Sequence, residues 1–427
     1  MPVKPHHVWL FVSFLAVSVA WLYMQRVLLP WEQYANVEVG TMKASLGDLY
    51  SPWLGTRALL RQKKNPYGPE VTHEIQMAIY GHDVAQGRTA EEVIDQQRFA
   101  YPVYAAFLLA PAAFLDFETV HTWAPPVLAV AVAVSVWLWL SALRWRGTAL
   151  VPAAVICFVL ASPQVAQGLR LQQLGLVVAL LLALGTWLVV RSSLTAGGAT
   201  LALATIKPQM VVIPVAWFLL WSLGDLRRRW RLPASFLAGL AILAGAGEWI
   251  LPGWTRDFFA GLAAYRHYGP VGTLLQLFLG DMGGMIVGTL IVAGLLAWSW
   301  HHRKCVADSP ELLTVLSWGL LATTIALPRS APFSQVLLIL PALQFVQDWE
   351  IRPRAARVAF AIFVCWPLLA QLALLIISPP LNSSRLLVVL PSALVLLFPF
   401  ALAILLAIGK GHSLADADRS PGRHVSY

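Results

Sequence analysis

The sequence predicts an all-α polytopic membrane protein, a bundle of about 12 transmembrane helices with short membrane-surface helices in its first outer loop. Three observations carry that prediction. Of 427 residues, 58% are hydrophobic and only 12% charged, with a mean hydropathy of +0.68; soluble domains are typically about 45–50% apolar and about 25% charged. Apolar runs near the roughly 20 residues needed to cross a bilayer recur from Val8 to Ile408. Basic residues cluster in the short gaps between those runs. The chain is therefore expected to form a single integral membrane domain over 1–427.

Hydropathy places the runs near 8–28, 99–118, 123–143, 148–166, 174–190, 194–207, 208–224, 235–252, 283–300, 312–327, 334–348, 358–378 and 386–408. The first follows Lys4 and could pass for a signal peptide cleaved after Ala20, but its apolar stretch continues, so an uncleaved first helix is expected. Basic clusters lie at Arg144 and Arg146, Arg227–Arg231, His301–Lys304, Arg352–Arg357 and Lys410–Arg423. Placing them all in the cytoplasm makes the chain from Trp123 onward self-consistent, with 410–427 as a cytoplasmic tail. Thirteen crossings would then put the termini on opposite sides, so one run must not cross. Segment 99–118 is the expected broken or re-entrant one, because Pro102 and Pro111 interrupt it and Asp116 and Glu118 close it. Twelve crossings with both termini cytoplasmic, in a plasma membrane, follow.

The net charge of +9, from 30 Lys+Arg against 21 Asp+Glu, has the same origin. Nothing matches a nucleic-acid-reading motif, so no nucleic-acid partner is expected. Cys157, Cys305 and Cys365 are odd in number and far apart, which argues against a disulfide framework.

The largest hydrophilic stretch, 30–98, is expected to face outward. Within it Leu49–Leu60 and Thr72–Tyr80 mix apolar and polar residues as membrane-surface helices do. A turn at Asn65-Pro-Tyr-Gly-Pro69 joins them.

With this topology the outer face collects Asp48, His73, His82, Gln172, Gln173, His267, Ser334 and Gln335 among an excess of cations. Those cations include Arg57, Arg61, Lys63, Lys64, Arg170, Lys207, Arg256, Arg266, Arg329 and Arg385. The positive-inside rule depletes that face of cations, so an anionic partner such as a lipid phosphate is expected. Lys207 precedes Pro208 between two apolar runs. An ionisable residue there is either functional or a lysine snorkelling from a helix end.

Asp48 could serve as a helix cap. It could equally take the proton from an acceptor hydroxyl as C1 of a sugar-phosphate is attacked. A phosphate is already a good leaving group, so cations around it replace a second carboxylate. His73-Glu74 and His82-Asp83 lack a recognised ligand spacing, so no metal and no other cofactor is expected. The sequence has neither a P-loop nor a dinucleotide-binding fingerprint, which leaves a lipid to carry the activated sugar.

Asp48-Leu-Tyr50, Asn65-Pro-Tyr67, Phe99-Ala-Tyr-Pro102 with Leu109-Ala-Pro111, Gln172-Gln-Leu-Gly175, and Ala196-Gly-Gly with Ile206-Lys-Pro208 follow one another in the order of glycosyltransferase family 87. Over about 45–345 the chain resembles those proteins, which are similar to polyprenol-phosphate-mannose-dependent mannosyltransferases and have the GT-C architecture. The resemblance implies a GT-C-type bundle and inverting transfer of a sugar, mannose by that family's example, from a polyprenyl-phosphate sugar donor to a lipid or glycan acceptor among the membrane lipids. It places Asp48 at the position of the general base and Lys207 at that of a helix-end lysine.

Topology adds Arg57, Arg170 and Arg329 to Lys207 as donor-phosphate ligands. It makes Tyr50, Tyr67, His73, Gln173 and Gln335 candidate substrate contacts. Two motifs depart from the family pattern. Gln172-Gln-Leu-Gly175 stands where Gly-Gln-x-Asn is usual, and Ser330–Gln335 stands where Ser-Pro-x-x-Trp with histidines is frequent. The second departure leaves histidine assistance without residues to supply it.

Two other classes compete. A flippase or transporter of lipid-linked saccharides would need polar sites near the midplane and inverted repeats. A polymerase or ligase would need a large late outer loop, whereas here the large loop is early.

Overall fold

A computed structural model describes residues 5–39, 46–81, 83, 97–145, 148–265, 272–328 and 331–417. Among them the regular structure is helical throughout. The chain opens with α1 (Pro5–Tyr23), a π-helical turn (Met24–Leu28) and α2 (Leu29–Val39). The first helix thus continues past Pro30, where the outer loop was expected to begin, because proline is accepted in the first turn of the helix that starts at Leu29.

Helices α3 (Tyr50–Arg57), α4 (Pro69–Tyr80) and α5 (Ala105–Ala113) follow. The first two sit where the sequence placed surface helices, but protein covers their apolar sides. Trp53, Leu54 and Ala58 pack with Ile75, Ile79, Leu109 and Val120. Helix α5 is short, and α3 caps it. Trp53 Nε1 donates to Ala112 O at 3.0 Å, and Arg57 Nη1 donates to Leu115 O at 3.0 Å and to Ala113 O at 3.3 Å. These donors satisfy carbonyls that a helix end leaves without partners.

Helix α6 (Phe117–Ala142) starts six residues earlier than hydropathy put it. Asp116, expected to close the preceding segment, instead caps this one by accepting from Thr119 N at 2.8 Å. The single span expected over 148–166 is two helices, α7 (Leu150–Ala161) and α8 (Pro163–Arg170), bent by 65°. Ser162 caps the second, and Pro163 occupies its first turn.

Then come α9 (Gly175–Val190), α10 (Leu194–Ala204), α11 (Pro208–Leu223), α12 (Leu226–Arg229), α13 (Arg231–Ile250) and α14 (Trp254–Tyr265). Helix α15 (Leu274–His302) is kinked at Gly280, whose φ of 72° only glycine adopts at low cost. After α16 (Pro310–Ala326) a 3₁₀ turn (Pro332–Leu338) leads into α17 (Ile339–Gln347), and α18 (Arg354–Ile377) follows. The last expected span, 386–408, is broken. A short α19 (Arg385–Val388) and a 3₁₀ turn (Leu390–Ser392) precede α20 (Phe398–Ala417), because Pro391 removes a backbone donor.

Among the described residues five helices are long and apolar enough to cross a membrane alone, and the bent α7–α8 pair makes six. The expected count of about twelve is not reached on that criterion. Helices α9, α10, α11 and α16 are apolar but run only 11 to 17 residues, and at 1.5 Å per residue all of these fall short of the roughly 30 Å hydrocarbon core.

The main core joins α6, α9, α10, α11 and α16 through Val132, Val136, Leu182, Leu201, Phe218 and Leu316. The basic clusters gather at one end of it. Arg144 pairs with Asp308 at 2.5 Å, Arg229 donates to the carbonyls of Trp221, Arg303 and Cys305, and Gln347 donates to Leu143 O. Lys207, at the start of α11, lies one helix length from Arg229, about 24 Å for 16 residues.

Helices α10 and α13 touch through Gly198, where an added Cβ would lie 2.4 Å from Leu232 O and 2.2 Å from Ser235 Oγ. Gly198→Val is expected to cost about 3 kcal/mol or more by overpacking against backbone, read as a lowered unfolding temperature in detergent. Gly245→Ala, with nothing within 4 Å of the new methyl, is expected to leave that temperature unchanged or raise it.

Candidate functional site

Three segments distant in sequence meet at the end of the bundle away from the basic clusters. The loop after α8 carries Gln172 and Gln173, the junction before α11 carries Lys207, and the turn before α3 carries Asp48. The backbone holds this meeting together. Asp48 N donates to Leu171 O at 2.8 Å, and Gly47, at φ 65°, comes so close that a Cβ there would sit 3.1 Å from Leu171 O. Gln172 also takes a left-handed conformation, φ 53°. That reversal lets its amide nitrogen reach His121 Nδ1 at 2.9 Å and His121 O at 2.8 Å, while Gln173 turns the other way.

Gln173 is 4% exposed and joins the two charges. Its Nε2 donates to Asp48 Oδ2, and its Oε1 accepts from Lys207 Nζ at 2.8 Å. An amide offers one donor side and one acceptor side, so it can face a carboxylate and an ammonium at once. Leucine at this position would remove that link from both charges. The Lys207 ammonium also lies 5.0 Å from the centre of the Phe333 ring, within range of a cation–π contact. Gly175 packs closely beside it, where an added Cβ would lie 3.1 Å from Met210 Sδ and 3.6 Å from Nζ.

The ammonium is enclosed by protein, although the residue keeps some accessible surface. Burial pushes the Lys207 pKa down to about 8, with the Asp48 carboxylate opposing the shift. Burial, and then the same carboxylate, pushes the Tyr101 phenol up.

The other expected site residues are placed as follows. Arg170 pairs with Glu32 of α2. Arg57 holds the end of α5 and stacks 5.4 Å over Trp53. Tyr50 packs edge-on against Phe117, with ring centres 4.8 Å apart. Tyr67 is buried and donates to Tyr101 O at 2.7 Å. His73 Nδ1 lies 2.6 Å from Asp83. Gln335 donates to Val395 O at 2.8 Å and meets Gln164 at 3.4 Å. Arg329, Arg266, His267 and His82 lie outside the described residues, as does the side chain of Arg385.

The structure thus brings Asp48, Gln173 and Lys207 together, and it commits Arg57 and Tyr67 to other contacts. Sequence reasoning passed over Phe333, Tyr101 and Glu32. The first two stand inside the segments Ser330–Gln335 and Phe99–Pro102 without a role of their own, and Glu32 falls in the expected outer loop. It also passed over Gln167. Gln167 Oε1, Arg170 Nε and Gln172 Oε1 are buried without a hydrogen-bond partner, an arrangement that native proteins seldom leave unfilled.

The family model of glycosyltransferase family 87 matches residues 99–328, more than half of the chain. The chain belongs to glycosyltransferase family 87. It is accordingly a multi-pass membrane glycosyltransferase, which acts on a sugar donor and an acceptor. The matched region contains Gln172, Gln173 and Lys207, whereas Asp48 and Phe333 lie on either side of it. No curated protein and no solved structure matches the chain.

Gly47→Ala is expected to lower glycosyl transfer at least about tenfold. A left-handed alanine costs about 1–2 kcal/mol, and its methyl presses on the carbonyl that positions Asp48. Initial rates in proteoliposomes, beside an unfolding temperature lowered by no more than a few degrees, check this outcome.

Proposed function

We propose that this family 87 protein transfers a sugar, with mannose the first to test, from a polyprenyl-phosphate donor to a lipid or glycan acceptor on the outer face, with inversion at C1. The observation that carries the reading is the Asp48–Gln173–Lys207 chain, which sets one carboxylate and one ammonium side by side. The acceptor oxygen attacks C1 from the side opposite the phosphate, and Asp48 takes the hydroxyl proton. The C1–O bond to phosphate breaks, and its electron pair leaves on polyprenyl phosphate. Lys207 holds the charge that develops there, and this electrostatic share is ordinarily the largest in such a step.

Gln173 orients both groups before substrate arrives. Arg170 is the second phosphate ligand in this reading, with Glu32 as its partner while the site is empty. The unpartnered atoms of Gln167, Arg170 and Gln172 support a polar ligand seated beside them. No nucleotide and no metal takes part in the step. A transporter of the same lipids would need the polar residues near the midplane, whereas here they sit at one end of α9 and α11.

Two experiments test the proposal. Wild type is expected to move radiolabelled mannose from synthetic polyprenyl-phosphate-mannose to a membrane lipid extract. Asp48→Asn, which keeps the shape and an acceptor for Gln173, is expected to lower turnover by about 10²–10⁴-fold, the usual share of general-base catalysis, with donor binding retained. Equal activity would remove Asp48 as the base.

The second reads pH. Because burial lowers the Lys207 pKa to about 8, the ammonium is charged below that pH and is lost as pH rises through it. kcat/KM for the donor, which reports the free enzyme, is expected to fall above about pH 8. In Lys207→Arg the guanidinium stays protonated, and that alkaline limb is expected to disappear.

A further inference from the structure

Away from Asp48 and Lys207 the bundle holds an apolar cavity of about 870 Å³, near the top of the roughly 300–1,000 Å³ range of small-molecule sites. It lies in the elbow between α7 and α8, with the 3₁₀ turn, α17 and α18 opposite and Trp9 of α1 alongside. Phe158, Leu343, Val364 and Leu368 typify its walls.

Its two ends differ. Toward the glycosyl-transfer site the polar lining consists of Ser162, Gln164 and Gln335, all uncharged and already bonded. Ser162 Oγ donates to Val159 O at 2.6 Å, Gln335 donates to Val395 O at 2.8 Å, and Gln164 meets Gln335 at 3.4 Å. At the far end Trp349 and Ala361 are shared with a second cavity of about 270 Å³, whose wall includes Arg354 and Arg357. The 16 residues from Pro332 to Gln347 separate the ends, about 27 Å for their 3₁₀ and α-helical rises.

The charges at that far end are incompletely matched. Arg357 Nε is buried without a hydrogen-bond partner, and Arg357 Nη1 lies 3.9 Å from the exposed Glu350 carboxylate. Arg354 is exposed at the first turn of α18, a 24-residue helix whose amino end adds positive potential.

We propose that the joined cavities bind one anionic phospholipid, with an acyl chain in the long cavity and its phosphate on Arg354 and Arg357. Charge complementarity selects this occupant. A neutral lipid would leave Arg354 unmatched and Arg357 with only the exposed Glu350 carboxylate at 3.9 Å. A prenyl chain coming from Lys207 would bring its phosphate to the wrong end. The bound lipid would fill the elbow and tie α1 and α18 to α7. This site is independent of the donor chemistry proposed above.

The test is native mass spectrometry of the full-length protein in detergent, with phosphatidylglycerol and phosphatidylcholine of identical acyl chains. Phosphatidylglycerol is expected to be retained about 25-fold better, about fivefold for each arginine, and to raise the unfolding temperature. Arg354→Gln with Arg357→Gln is expected to abolish that preference. Ala154→Phe, which fills the cavity, is expected to reduce retention of both lipids with the arginines intact. Equal retention by wild type, a preference that survives in the double variant, or displacement of phosphatidylglycerol by polyprenyl phosphate would each overturn the proposal. The last would assign the cavity to the donor's chain. Glycosyl transfer by the same preparations reports separately on the catalytic reading.

Discussion

A carboxylate and an ammonium can stay charged inside an apolar helix bundle only if each has a partner aimed at it, because desolvation of an isolated ion exceeds anything packing returns. Here one amide meets that requirement. Gln173 accepts from Lys207 and donates to Asp48. Each of the three lies on a different segment, so the bond chain also fixes how those segments sit. The sharp turn after α8, the left-handed Gln172 and the close approach of Gly47 to Leu171 serve the same geometry. Helix starts do the aiming. Pro208 begins α11 directly after Lys207, and Asp48 stands just before α3.

The rest of the fold divides into a polar end and a basic end with short apolar helices between them. At the basic end the arginines spend their donors on backbone carbonyls. Arg229 holds three of them, and Arg352 donates to Leu405 O and Leu406 O while pairing with Asp348. Those contacts give a second role to residues whose clustering the sequence attributes to membrane topology alone: Arg229 closes the ends of α11 and α15, and Arg352 anchors α20.

The bent and broken helices have separate local causes. Ser162-Pro163 starts a new helix because serine caps and proline fits the first turn. Gly280 interrupts α15 through its backbone freedom, and Pro391 divides the last run. Hydropathy counts apolar residues without regard to direction, so it merges such pieces into single spans. The same blindness hid Glu32, which belongs to a helix that runs on past Pro30.

By itself the sequence determined the helical membrane class, the family, the clustered cations and the two residues of opposite charge, Asp48 and Lys207, because composition, hydropathy and short motifs are local properties. Tertiary structure decided what those residues touch. Gln173 became the link only when α8 turned back on α9, Phe333 came under the ammonium from more than 100 residues away, and Arg57, an equal candidate on paper, was drawn to the carbonyls at the end of α5. Partner choice among buried polar groups depends on which helix ends meet, and no single segment carries that information.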